Sequence, residues 1–283
     1  MISNLIINME NLITVVQLRK SIEKLFTTVL KNNNKLKIVG DINEEAYGHT
    51  AGTPIEDWAK ICLETEFKVY YPNEILLEIF KIFKKAKDII KFLDTIWWSK
   101  LLFTKKQLTD FLNGDEVKRW QQEGADLVLF YGEKLITDSN KVILINVKSH
   151  NSSRESRAPN IMSAQRLLEF FDYTLSKSDG QNRLDQMELL FLGVDYVTSG
   201  NQATVNKIHI KDLFKLDIKE MPLINFDAAI QIQWHVKDMK EINQTKKAFI
   251  LNLSDEFIKS WNHHRESKQV KYEKLVKDIR NKL

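Results

Sequence analysis

Two short stretches carry the residue types that metal-assisted phosphodiester chemistry needs. Asp126 stands near the head of Ala125-Asp-Leu-Val-Leu129, and Asn146-Val-Lys148 follows the apolar run Val142-Ile-Leu-Ile145. Hydrolysis of a phosphodiester calls for a cation that polarises the phosphate and lowers the pKa of the attacking water. Hard cations such as Mg²⁺ take clustered oxygen ligands with open positions for substrate. Alternation along a strand sends residues 146 and 148 to one face and turns Val147 into the core. Asp126 on the neighbouring strand then supplies a carboxylate, Asn146 an amide oxygen, and Lys148 an ammonium that orients water or stabilises charge developing on phosphorus. Glu56, in Thr53-Pro-Ile-Glu56, is a further carboxylate, expected to bind a second ion or to organise Lys148. An ordinary pair of strand ends with solvated charges has the same look, so the loop that follows matters. Ser149-His-Asn-Ser-Ser-Arg-Glu-Ser-Arg-Ala-Pro-Asn160 is polar and basic, and Arg154, Arg157 and Asn160 have the chemistry for phosphates or base edges.

The elements that must position these groups are read from periodicity. Residues 9–31 and 74–93 carry apolar side chains at helical spacing, and 104–113 is framed by Thr104, Gln107 and Gly114. Thr53-Pro-Ile-Glu56 combines an N-cap, Pro at the first helical position and a capping-box Glu, which predicts a helix from 53 to about 66 with Glu56 in its first turn. Short β-rich runs follow at 125–130, 142–147, 189–197, 205–210 and 228–236. Ser163 caps an amphipathic helix through Tyr173, so strand, helix and strand alternate. A last helix over 254–283 carries Phe257, Ile258, Trp261, Val270, Leu275, Val276 and Ile279 as its apolar stripe, able to pack on the body or on another subunit. The expectation is one α/β domain over 1–283: a helical part to about 120, a mixed-sheet core over about 121–240 joined by the 53–66 helix, and the C-terminal helix. The four prolines are expected near element boundaries.

Composition bounds the function classes. The chain has 283 residues, 43% hydrophobic and 10% aromatic, enough for a packed core. A net charge of +4 and a pI near 8.8 suit a polyanion partner without requiring one. The lone Cys62 cannot form an internal disulfide and reads as a small buried apolar residue. The start lacks a basic leader and every apolar run is too short to span a bilayer, so a cytoplasmic location is expected.

Three blocks of the sequence resemble the HincII (HindII) group of Type II restriction endonucleases, within the PD-(D/E)xK nuclease superfamily. The first is Gly48-His-Thr-Ala-Gly-Thr-Pro-Ile-Glu56. The second joins Ala125-Asp-Leu-Val-Leu129, Asn146-Val-Lys148 and Ala158-Pro-Asn-Ile-Met-Ser-Ala164, and the third is Ile224-Asn-Phe-Asp-Ala-Ala-Ile-Gln-Ile-Gln-Trp-His-Val-Lys-Asp238. Together they cover about a sixth of the chain. The resemblance implies a restriction-endonuclease-like core and a homodimeric, Mg²⁺-dependent enzyme cutting a short GTYRAC-like palindrome to blunt ends. A cognate DNA methyltransferase would be its genetic partner. Asp126 and position 146 would bind metal, and Lys148 would be the catalytic lysine. The segment from Arg157 through Ala158 to Asn160 would read the groove, with Asn225 a second candidate for base contact. Two departures stand out: the family carries Asp where this chain has Asn146, and Gln where it has Arg157. Loss of a formal charge at 146 predicts crippled cleavage, as in an Asp-to-Asn variant.

Other residues are weighed against plainer roles. His49 either approaches DNA beside Glu56 or belongs to a helix-entry loop, and Asn225 would otherwise be a cap or turn residue. His235 reads as a hydrogen-bonded core histidine, Trp58, Trp97, Trp98 and Trp120 as core, and the Lys-rich tail as a solvated helix face. No histidine spacing suggests zinc. Two other functions stay open: a sequence-specific DNA-binding protein that has lost catalysis, and a structure-selective repair nuclease.

Overall fold

The computed structural model describes residues 15–32, 35–37, 47–83, 85–114, 124–130, 142–153, 157–200 and 202–282. Its strands are β1 (Lys35–Lys37), β2 (Lys68–Tyr70), β3 (Leu127–Phe130), β4 (Val142–Asn151), β5 (Asn160–Ser163), β6 (Met187–Ser199), β7 (Gln202–Asp212) and β8 (Gln231–Gln233). Six of them form one mixed sheet in the order β1-β7-β6-β4-β3-β2, while β5 and β8 pair separately. Only β4 and β6 run parallel in the large sheet. Parallel neighbours need a crossover, supplied here by α7 (Ala164–Leu175) and α8 (Gly180–Gln186), which follow α1 (Val15–Asn32), α2 (Tyr47–Glu64), α3 (Pro72–Ile82), α4 (Ala86–Thr95), α5 (Ser99–Leu102) and α6 (Lys105–Leu112). The last helix is α9 (Lys246–Lys282).

Both faces of the sheet are covered, which explains why β3 is buried along its whole length and why β4 reads as a continuous apolar run. Ile143, Ile145 and Val147 pack with Leu18, Ile22 and Phe26 of α1 and with Ile55, Trp58 and Leu63 of α2. On the other face Val142, Leu144, Val128 and Phe130 meet α3 to α7 and the start of α9, through residues such as Trp98, Phe171 and Phe249. Each fully buried side chain of this size contributes about 1.5–3 kcal/mol. The mixed α/β class expected from the sequence is therefore the class observed. Cys62 is buried, and burial pushes its thiol pKa up to about 11. Trp58, Trp97 and Trp98 are core residues as expected; Trp120 lies outside the described residues. No helix among the described residues is long and apolar enough to cross a membrane.

Several boundaries differ from expectation, each for a local reason. Thr53 is not an N-cap: α2 begins at Tyr47 and runs through Pro54, so Glu56 sits well inside the helix. The 9–31 periodicity is helical from Val15, with 9–14 outside the described residues. The 74–93 stretch is two helices, because Phe83 and Lys85 both adopt extended backbone. Thr104 and Gln107 do form the capping box, and the Ser163 hydroxyl does accept the Arg166 amide at the head of α7. Helix α9 starts eight residues early, where the Thr245 hydroxyl accepts the Ala248 amide. Its buried face is Phe249, Leu253, Glu256 and Ser260; Ile258, Trp261, Val270, Leu275, Val276 and Ile279 are exposed. The sheet also recruits β1 and β2 from the helical part of the sequence, and the 228–236 run yields only the short β8.

Candidate active site

The centre is built where β3 meets β4. Asp126 lies one residue ahead of β3, and its amide donates to the Ile145 carbonyl at 2.9 Å, extending the ladder. Its carboxylate Oδ2 accepts the Val147 amide at 2.6 Å and stands 3.6 Å from the Lys148 ammonium. The side chain is therefore fixed by backbone on one side and by charge on the other. Register places Asn146 and Lys148 on the sheet face that carries Val142 and Leu144, as alternation requires. Asp126 and Lys148 keep 19% and 21% of their side-chain surface open.

Asn146 is different. It is 1% exposed, and its Oδ1 has no hydrogen-bond partner. A buried oxygen left in this state costs about 1–3 kcal/mol unless something binds it. An orphaned acceptor beside a fixed carboxylate fits a cation, and the donor set of carboxylate and amide oxygens is the hard kind that Mg²⁺ prefers. Among the described residues no group of three or more His, Cys, Asp or Glu could hold a metal ion.

Beyond Lys148 the same face of β4 carries His150, a residue the sequence reasoning passed over although it lies two positions on. Register sets it opposite Asp195 of β6, whose carboxylate approaches His150 Nδ1 at 3.2 Å and His209 Nε2 at 2.9 Å. Gly193, opposite Lys148, makes room above the sheet: a Cβ there would stand 2.6 Å from the Val236 Cβ. That close approach brings His235 edge-to-face onto His150 at 4.9 Å between centroids and Lys237 to the wall of a small pocket shared with Lys148 and Pro159. Burial, followed by the Lys237 charge, holds the His150 pKa below its ordinary value. His235 is thus not a hydrogen-bonded core residue. It is half-buried at this pocket, with its Nδ1 lacking a partner.

The groove-facing candidates gather on the small sheet. Arg157 and Asn160 are exposed and Ala158 half-buried, ahead of and within β5. Asn225 makes the turn expected of its type, its Oδ1 accepting the Asp227 amide at 2.9 Å, yet its Nδ2 also donates to Gln233 Oε1 at 3.0 Å. Gln233 Nε2 in turn donates to Asn160 Oδ1 at 2.8 Å. The two asparagines singled out from sequence are therefore joined through a glutamine that was not. Glu56 comes from α2, whose apolar residues cover the opposite face of the sheet. His49 lies in the first turn of α2, and Arg154 lies outside the described residues.

A helix-flanked mixed sheet of this kind is the restriction-endonuclease-like α/β fold. The model of the family described as restriction endonuclease HincII matches residues 39–281, and the chain belongs to that family. It is 31% identical over 116 residues to the Type II restriction enzymes HindII and HincII of Haemophilus influenzae. The aligned stretch spans 41% of this chain and 43% of each relative, less than half their length. A solved NlaIV restriction endonuclease is similar over 88% of this chain and 89% of its own, with 11% identity and a TM-score of 0.39.

Proposed function

We propose that this chain is a Type II restriction endonuclease that acts as a homodimer on a short GTYRAC-like palindrome, with cleavage impaired by Asn146. The observation that carries the reading is the buried, unpartnered Asn146 oxygen next to the fixed Asp126 carboxylate and Lys148. Mg²⁺, held by Asp126 and residue 146, would polarise the scissile phosphate and lower the pKa of attacking water. Lys148 keeps its ammonium within reach of a phosphate oxygen while Asp126 holds it in place. The Val147 amide bond locks the Asp126 carboxylate, so the group needs little reorganisation when substrate arrives. Glu56 lies on α2, which covers the sheet face opposite Asn146 and Lys148, so the expected role of binding a second ion or organising Lys148 is not part of this reading. Arg157, Ala158, Asn160 and Asn225, with Arg154 and His49, are the residues proposed to contact DNA. A DNA methyltransferase protecting the same site would complete such a system in the cytoplasm.

The neutral ligand at 146 also favours a second reading, a DNA-binding protein that occupies its site without cutting. Plasmid cleavage with Mg²⁺, comparing this chain with Asn146→Asp and sequencing product ends, separates the two. Discrete blunt fragments from the Asp form alone support the endonuclease. Persistent duplex binding with neither form cutting assigns the chain to binding only, and cleavage confined to branched or damaged DNA would assign it to repair.

A further inference from the structure

We infer that Gln233 sets which way the Asn160 amide faces, so that the reading surface offers hydrogen-bond donors to acceptor-bearing base edges. The inference rests on the proposed DNA function and deepens it.

The direction of the amide chain is fixed at one end by a group that can only donate. The Asp227 backbone N–H meets Asn225 at 2.9 Å, so the Asn225 atom there must be the oxygen. Its other terminus is then the amine, which donates to Gln233 at 3.0 Å and so selects the Gln233 oxygen for that contact. The Gln233 amine is left to donate to Asn160 at 2.8 Å, which draws the Asn160 oxygen inward. What Asn160 presents outward from its exposed position at the start of β5 is its amine.

The platform that holds the chain is firmly built. Asn160 and Gln233 are register partners between β5 and β8. Asn225 and Gln231 exchange backbone bonds at 2.9 and 3.1 Å, closing a turn in which Ala229 and Ile230 have φ of 51° and 55°. Left-handed backbone at a β-branched residue is costly and persists where the surroundings enforce it, commonly at functional sites. The Ile230 carbonyl accepts the Ala164 amide at 2.9 Å, tying the turn to the head of α7.

In the major groove guanine presents O6 and N7, thymine O4 and purines N7 as acceptors, whereas the cytosine amine is a donor. An outward amine matches the first group and opposes the last. Gln233→Glu should invert this. The introduced carboxylate has no proton to offer Asn160, so the Asn160 amide turns its amine inward and its oxygen outward, towards amine-bearing edges.

The test is selection of bound duplexes from a randomised pool without Mg²⁺, followed by anisotropy titration of the winners. The full chain, Gln233→Glu and Gln233→Leu are compared, with melting temperatures checking the fold. The full chain should select an acceptor-bearing base at one position per half-site. A 7-deazapurine or other acceptor-deleted analogue there should cost about tenfold in Kd. Gln233→Leu should bind the site about tenfold more weakly, lose most of the analogue penalty, and keep its affinity for random DNA. Gln233→Glu should move the selected base towards an amine-bearing edge. An unchanged selected base and an undiminished analogue penalty in either folded variant would overturn the inference. Should Gln233→Glu fail to fold, Gln233→Leu alone decides. If the full chain selects no sequence, the DNA-site reading itself has failed, and this inference falls with it.

Discussion

Asn146→Asp tests the site thermodynamically as well as catalytically. The change adds one negative charge to a centre whose present formal charges, from Asp126 and Lys148, cancel. A unit charge about 4 Å from a divalent ion is worth about 8 kcal/mol at an effective dielectric constant of about 20. Stripping water from the carboxylate takes back several kcal/mol, leaving about 3 kcal/mol, or about a hundredfold in metal affinity. The same position is 1% exposed, so without metal the new carboxyl is buried unpaired beside Asp126. That should cost about 2 kcal/mol of stability, lowering the melting temperature by about 5 °C in a chain of this size. Mg²⁺ at ten times its Kd should return about 1.4 kcal/mol, or about 3 °C. The assay is thermal melting of both proteins in EDTA and across a Mg²⁺ titration, with plasmid cleavage in parallel. The Asp form should melt lower in EDTA, recover with Mg²⁺ and cut DNA, while this chain should show little response. Equal Mg²⁺ responses in the two proteins, or an Asp form that neither recovers nor cuts, would refute the assignment of residue 146 as a metal ligand.

Other perturbations check separate parts of the structure. Lys148→Met, made on the Asn146→Asp background, should abolish plasmid cleavage while duplex affinity without metal changes less than about threefold. Lys246→Met should cost about 3–5 kcal/mol in denaturant unfolding, because Lys246 is the partner of the buried Glu188 carboxylate at 2.9 Å and also donates to the Leu184 carbonyl at 2.9 Å. Ala229→Gly should stabilise the chain by about 0.5–1 kcal/mol, since the exposed Ala229 has φ of 51° and glycine adopts that region freely. His150 should make stability fall with acid. Its folded pKa lies below the ordinary 6.5, so the unfolded chain binds the extra proton and stability is lost as pH drops below about that value. Unfolding titrations of His150→Gln should lack this part of the slope, and an identical slope would exclude His150 as its source.

What the sequence disclosed was local. Val142 to Lys148 announced its burial and its two-faced register because both signals lie within a few consecutive residues. The Thr104 and Ser163 caps were legible for the same reason. The Thr53-Pro signature misled because Pro54 is tolerated inside a longer helix, where local chemistry cannot distinguish an N-terminus from an interior turn. β1 and β2 are three residues each, too short for periodicity, and their existence follows from pairing with β7 and β3. The late start of β8 within the 228–236 run was hidden by left-handed Ala229 and Ile230, which carry none of the Gly or Asn that usually signals such a turn. Gln233 gave no local signal, because its partner Asn160 lies 73 residues away.

The long-range pairings also place the proposed base-reading and catalytic residues on one piece of scaffold. Gln233 closes β8, and the next residue, Trp234, donates its amide to the Pro159 carbonyl at 3.3 Å, just before Asn160. His235 follows against His150, then Val236 in the space left by Gly193, then Lys237 at the pocket that Lys148 also lines. Five consecutive residues thus run from the amide that orients the candidate base reader to the surroundings of the candidate catalytic lysine. Trp234 and Val236 are both buried, whereas His235 between them lies at the pocket. Gly193 is the residue on which this arrangement depends. With any side chain there Val236 could not approach, and His235 and Lys237 would be lifted away from Lys148 together.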